Sequence, residues 1–170
     1  MAQFTVNPTR IDPYANFRFR VVWDDEGVLA PIAGVSKVSG LKRTTEAISH
    51  RDGGDLSTKR HSPGASNFEP ITIERGITYD LAFENWATKV YSTAGDGGVS
   101  LKNFRKDVII DLYNLQGVKV RSWQVFRCWV SEFVAVPELD ANANAIAFEH
   151  IVLQNEGFAR DPAVVETAEF

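Results

Sequence analysis

Residues 106–133 read KDVIIDLYNLQGVKVRSWQVFRCWVSEF, two long extended runs on either side of a turn. Val108, Ile109, Ile110 and Leu112 centre the first run, Lys106 to Leu115, while Trp123, Val125, Phe126, Trp129 and Val130 mark the second, Val118 to Phe133. β-Branched and aromatic side chains suit a pleated, half-buried surface, and Gln116-Gly117 supplies the backbone freedom of a hairpin turn. The remainder of the chain is therefore read for strands that would complete this sheet.

Upstream, Asn16 to Trp23 alternates, with Phe17, Phe19, Val21 and Trp23 on one face and Arg18, Arg20 and Val22 on the other. That is the period of a strand. Asp24, Asp25, Glu26 and Gly27 break it. With no further metal ligand nearby in sequence, they read as a hairpin turn rather than a carboxylate cluster. Leu29 to Leu41 is a second extended stretch, where Gly34 and Gly40 predict bulges. Arg43 to Ser49, with Thr44, Thr45 and Ile48, predicts a strand exposed on at least one side. Pro70 to Gly76 sets Ile71 and Ile73 against Thr72 and Glu74, and Ala145 to Phe158 supplies a last strand through Ile146, Phe148, Ile151, Val152 and Leu153. Between them Ala82, Phe83, Trp86, Ala87, Val90 and Tyr91 form one helical stripe, capped by Thr78 or Asp80. The expectation is a mainly β protein: an antiparallel sandwich or barrel-like fold of six or seven strands with one flanking helix. At 170 residues and 18.9 kDa it reads as one domain, 1–170, with a core over about 12–160 and a frayed tail over 159–170.

One segment fits none of this. His50 to Phe68 is a polar excursion containing Gly53, Gly54, Pro63 and Gly64, far longer than ordinary connections of about 4 to 6 residues. It reads as a long loop: an active-site lid, a disordered insertion, an arm that orders only against a neighbouring copy, or the ligand site of a monomeric β-sandwich binding module. A size measurement separates the last two.

The chain carries few signs of chemistry. His50, His61 and His150 make no H-x-x-x-H spacing, and Glu149 beside His150 must point to the opposite face of its strand. No G-x-S-x-G occurs. The TAGDGG loop within 92–100 lacks the Lys-Ser/Thr pair of a P-loop. Cys128, the sole cysteine, excludes an internal disulfide and sits in an apolar run as a small hydrophobe. No catalytic, cofactor or metal residues are assigned. A net charge of -4 and a pI near 5.4 disfavour a polyanion partner, so Lys59-Arg60-His61 reads as a solvated cluster and no specific nucleic-acid binding is expected. Met1 to Arg10 has no leader pattern and no apolar run approaches the roughly 20 residues of a membrane helix, so a soluble, cytoplasmic start is expected.

Several blocks in order carry a resemblance: Gly54-Asp55-Leu56-Ser57-Thr58 through Ser62-Pro63-Gly64; Ile71-Thr72-Ile73-Glu74-Arg75-Gly76, then Asp80, Phe83 and Trp86; Phe126-Arg127-Cys128-Trp129-Val130-Ser131-Glu132; Asp140-Ala141-Asn142-Ala143-Asn144; and Asn155-Glu156-Gly157. From about Asp12 to Asp161 the chain resembles the tail tube family of contractile phages, most closely its members in extracellular contractile injection systems such as the antifeeding prophage and the Photorhabdus virulence cassettes.

The resemblance implies a structural subunit with no enzymatic activity and no cofactor. Six copies would close a continuous β-barrel ring, and rings would stack into a hollow inner tube inside a contractile sheath. Implied partners are further copies of itself, the sheath protein, baseplate and tube-initiator or terminator proteins, and cargo in the lumen. Assembly would take place in the bacterial cytoplasm. The acidic hairpin Asp24 to Pro31 is longer than the family pattern leads one to expect. Within this picture 50–68 is the inter-subunit arm, and Arg51, Gly53, Gly54, Asp55, Ser57, Thr58, Lys59, Arg60, Pro63 and Gly64 are its candidate contact residues. A solitary copy would leave sheet edges unpaired, and joining copies removes them.

Overall fold

A computed structural model of the chain describes residues 6–25, 27–32, 34–54, 57–93, 95, 99, 102–142 and 144–169. Ten strands and one helix follow in the order β1 (Phe19–Asp25), β2 (Val28–Pro31), β3 (Val35–Val38), β4 (Arg43–His50), β5 (Arg60–Phe68), β6 (Ile71–Gly76), α1 (Ala82–Ala87), β7 (Lys106–Tyr113), β8 (Lys119–Val134), β9 (Phe148–Gln154) and β10 (Phe158–Arg160). All strand pairs are antiparallel.

The hairpin of 106–133 organises everything else. Its turn closes on Gly117, whose φ of +82° admits glycine readily, with the Asn114 side chain accepting the Val118 N–H at 2.9 Å. β8 then serves two layers. Its first half pairs with β7 and, on the other side, with β10; its second half pairs with β9. Between the halves Arg127 adopts φ +52°, uncommon for a residue with a Cβ, while its N–H donates to Asp107 Oδ1 at 2.8 Å. A register shift faces this point on β7. Such an irregularity bends a strand, and here it carries β8 from one sheet into the next. One layer is β2-β1-β7-β8-β10 and the other β8-β9-β6-β3, so the combined sheet is open, ending at β2 and at β3.

The alternation read from the sequence places the core. Val21 and Trp23 of β1, Val108 of β7, Val125, Cys128 and Val130 of β8, Ile71 and Ile73 of β6, and Ile151 and Leu153 of β9 meet between the layers. Phe83 and Trp86 of α1 close the remaining side, both fully buried. Trp86 stands edge-on to Trp23 with ring centroids 4.6 Å apart, and its Nε1–H donates to Phe104 O at 2.7 Å. Burying each large apolar side chain contributes roughly 1.5–3 kcal/mol.

Four expectations change. Leu29 to Leu41 is not one strand: after Pro31 the chain crosses between layers through buried Ile32 and turns at Gly34, φ +76°, so β2 and β3 lie at opposite ends of the sheet. The helix stops at Ala87, because Lys89 and Val90 donate to carbonyls three residues back and tighten the last turn; Tyr91 is left exposed. The last strand divides at Gly157, φ +136°, into β9 and β10. Finally, the tail expected to fray over 159–170 makes hydrogen bonds to the body and to the N-terminal segment. Phe158 to Arg160 pair with β8, and further on Glu166 accepts the Val6 and Asn7 N–H groups while Glu169 N donates to Asn7 Oδ1.

Candidate functional site

The excursion at 50–68 is where the structure departs most from its sequence reading. It is not a loop: Arg60 to Phe68 form β5 and pair with β4 from Arg43↔Phe68 to His50↔Arg60, leaving only 51–59 as the connection. Among the described residues these two strands form a sheet of their own, hydrogen-bonded into neither layer of the body. The result is a projecting two-stranded ribbon. Every residue of β4 is exposed, and on β5 only Gly64 and Phe68 are part-buried.

Local chemistry explains why this sequence still makes strands. Thr45 Oγ1 and Ser66 Oγ lie 2.7 Å apart across the pair, and the Ile48 side chain lies along Gly64, where an added Cβ would come within 3.1 Å of it. Pro63 lacks an N–H, which an edge strand tolerates. A register shift between Thr45 and Ala47 twists the ribbon.

Of the predicted contact residues, Arg60, Pro63 and Gly64 lie on β5 and Lys59 immediately precedes it; Arg51, Gly53, Gly54, Ser57 and Thr58 occupy the connection, all exposed. Asp55 lies outside the described residues, as do Glu26 of the acidic turn and most of TAGDGG.

The arm's root is built, not loose. Phe68 packs edge-on against Phe158, centroids 5.7 Å apart, and Gly157 lies directly against the Phe68 ring. Asn155 donates from Nδ2 to Glu69 O at 2.9 Å, Glu69 N donates to Lys42 O, and Lys42 pairs with Glu69 at 2.5 Å. Glu156 holds Arg127 at 2.8 Å. So Phe126-Arg127 and Asn155-Glu156-Gly157, distant in sequence, meet where the arm leaves the body.

At the opposite end of β6 a second constellation forms. Arg75, fully buried, donates from Nε to Glu149 Oε1 at 2.5 Å and from Nη1 to Asp80 Oδ2 at 2.8 Å, with its guanidinium 4.2 Å above the Phe83 ring. Arg75 Nη2 also donates to Asp80 O. This clamp ties β6, β9 and the start of α1 together, and Asp80 Oδ1 accepts the Ala82 N–H. The sequence reading left Arg75 unplaced, although the two-residue period puts it on the buried face with Ile71 and Ile73. Glu149 and His150 do face opposite ways: His150 points outward, 3.9 Å from Glu132.

Cys128 is fully buried, and burial, with Asp107 adding to it, pushes its thiol up to about 12, away from nucleophilic use. Among the described residues no group of three potential ligands could hold a metal ion, and no helix is long and apolar enough to cross a membrane.

The sequence profile of the T4-like virus tail tube protein gp19 matches residues 15–159. The chain belongs to that tail tube family. It is a structural tube subunit of a phage-tail-like particle. Its fold is that of a chain in the 6-fold symmetrised cryo-EM structure of the anti-feeding prophage (AFP) baseplate, with a TM-score of 0.74 at 20% identity, covering 89% of this chain and 97% of the other. A chain of the extracellular contractile injection system PVC, in its extended sheath–tube complex, gives 0.72 at 24% identity, covering 94% and 99%. Hcp1 from Flavobacterium johnsoniae is more distant, at 0.50 and 14% identity over 83% and 94%. No curated protein sequence gives a significant match. The single subunit is mainly antiparallel β with an open sheet, as a member that completes its barrel with other copies requires.

Proposed function

We propose that copies of this subunit close six-membered rings that stack into a hollow conduit inside a contractile sheath, and that contraction drives the conduit through a target envelope to deliver cargo. The observation that carries this reading is an open sheet that ends at β2 on one side and at β3 on the other, beside an exposed ribbon with no strand partner in the body among the described residues. Val28 and Leu29 on β2 are 66% and 59% exposed, an edge that a second copy would cover. The six-fold symmetry of the AFP baseplate and the sheath–tube and sheath/tube terminator complexes of PVC support the ring, the sheath and the end proteins as partners. In this reading the arm at 50–68, through Arg51, Gly53, Gly54, Asp55, Ser57, Thr58, Lys59, Arg60, Pro63 and Gly64, reaches the next copy. The subunit has no enzymatic role, assembles in the bacterial cytoplasm, and leaves it within the particle. Its lumen wall carries few apolar groups, because a conduit must not retain its cargo.

Negative-stain electron microscopy of concentrated, purified protein tests this directly. Rings or tubes with six-fold end views are expected; a monodisperse species of 18.9 kDa at high concentration would overturn it.

A further inference from the structure

Between 89 and 106 the chain carries Lys89, Lys102, Arg105 and Lys106 against a single acidic residue, Asp96, which lies outside the described residues. The fold brings these four cations together. Lys89 follows α1, Lys102 and Arg105 lead into β7, Lys106 opens it, and all four line one cavity of about 630 Å³ beside the turn between β1 and β2. Asn103, at φ +57°, turns the chain between Lys102 and Arg105.

Asp24 and Asp107 are the carboxylates of the described wall, and both are engaged by neutral donors. Asp24 Oδ1 accepts the Gly27 N–H at 2.7 Å, while Asp107 accepts the Gln124 amide at 3.0 Å through Oδ2 and the Arg127 N–H at 2.8 Å through Oδ1. Glu156 stands 3.6 Å from Arg105 but is held at 2.8 Å by Arg127. Four cations against two carboxylates leave that wall at a formal +2, in a chain whose net charge is -4. A concave site lined by one sign of charge focuses its field on an arriving counter-ion more than the same charges do on an open surface.

The wall is built into the fold. Lys106 is 8% exposed, with Nζ 5.4 Å from the Trp86 ring centroid and 5.7 Å from that of Trp23. One ammonium is thus fixed against the hydrophobic core, while Lys102 and Arg105 are exposed. Every lining residue is charged, polar or glycine, so the cavity offers charge and hydrogen bonds but no apolar anchor. A protein partner ordinarily brings an apolar centre to its contact, whereas a small hydrophilic anion needs none. The volume falls within the roughly 300–1,000 Å³ of small-molecule sites.

We infer that this cavity is an oxyanion site and takes a compact polyvalent phosphate of the diphosphate class, free or carried by a nucleotide. The planar Arg105 guanidinium can meet two oxygens at once, Lys89 and Lys102 reach others on flexible stems, and Lys106 supplies the fixed charge. Binding needs the excess of charge, not idle side chains, because an anion met by several donors together displaces single contacts. The bound anion ties the β1–β2 turn, the segment after α1 and the start of β7, three separate parts of the chain, so occupancy stabilises the folded subunit. The site is independent of the tube reading.

Calorimetric titration of the full-length subunit, below the concentration at which it assembles, tests this with inorganic pyrophosphate and separately with ADP, each against sodium chloride of matched ionic strength. One equivalent should bind saturably, and the thermal midpoint should rise beyond that of the sodium chloride control. Lys102→Gln with Arg105→Gln should weaken binding at least tenfold, and Lys89→Gln, on a different segment, should weaken it as well. Lys37→Gln with Arg160→Gln removes the same charge from exposed residues that do not line the cavity, and should bind like wild type. Pyrophosphate binding at least as tightly as ADP assigns the site to the free anion; tighter binding of ADP assigns it to a nucleotide. Heat no greater than that of the salt control, or equal affinity in the two double variants, would overturn the inference whether or not the protein forms tubes.

Discussion

β5 and β6 are separated by two residues, yet they solve the problem of being a strand in opposite ways. In β6 every second residue, Ile71, Ile73 and Arg75, is fully or almost fully buried, and both edges are paired, by β9 and β3. In β5 no residue is fully buried, and its strand pairing within the described chain is with β4 alone. A two-stranded ribbon is marginal in water by itself. It survives here because its root is bolted to the body through Phe68, Glu69 and Asn155, and because cross-strand contacts such as Thr45 with Ser66 fix its register. The difference teaches that β6 is completed within one copy, whereas the ribbon has no third strand among the described residues and, in the tube proposal, is a surface offered to another copy.

That contrast can be broken most forcefully at Arg75. Removing it by Arg75→Ala strands Glu149 as a buried, unpartnered carboxylate, so a loss of about 3–5 kcal/mol is expected. Denaturant unfolding at concentrations too dilute for assembly would measure it. The paired replacement Arg75→Met with Glu149→Leu should recover most of that loss, since an apolar pair of similar volume needs no charge partner. Trp86→Ala should cost a comparable amount, about 3–5 kcal/mol, through the cavity it leaves against Trp23. Equal losses from substitutions at exposed positions of β5 would erase the distinction between the two strands.

Cys128 sharpens the comparison through pH. Burial raises its thiol from an ordinary value of 9.0 to about 12. The folded protein therefore keeps a proton that the unfolded chain releases, so this group leaves stability unchanged below pH 9 and lowers it as pH rises from about 9 to about 12. Cys128→Ala should flatten that part of the stability profile relative to wild type. A thiol reagent at pH 8 should leave native Cys128 unmodified and react once the protein is unfolded; rapid reaction of the native thiol would mean that the body opens far more readily than its packing implies.

How much of this could be read from the sequence follows from where side chains are buried. Phe19, Val21 and Trp23 alternate because one face of β1 is buried, and β6 to β9 announce themselves likewise. β5 gave no such signal. HSPGASNF is rich in turn-forming residues, and a strand with no buried face has no hydrophobic period to display, so it passed for a loop. β2 and β3 merge into one expected strand because Gly34 reads as a bulge, while only the three-dimensional path reveals that the chain changes layers there. The buried charge of Arg75 was legible in principle from its place two residues after Ile73, but a basic residue at the end of a strand passes easily for a solvent-facing one. The excursion at 50–68 stands out in the sequence by its length and polarity, whereas its pairing with β4 does not.

The smallest effect on the subunit itself is expected at the arm's tip. Lys59→Ala with Arg60→Ala removes exposed side chains on a ribbon that contributes no residue to the core, so the unfolding free energy should stay within about 0.5 kcal/mol of wild type. Deleting 53–66 removes most of β5, yet it spares Glu69, Asn155 and Gly157 at the root, and the body's cooperative unfolding should persist in a soluble subunit. The same deletion should abolish stacking by negative-stain microscopy. These two outcomes have to occur together. An arm whose loss unfolds the body would be part of the fold, and one whose loss leaves tubes unchanged would be an ornament; only a segment dispensable for stability and required for stacking belongs to the neighbouring copy as much as to its own.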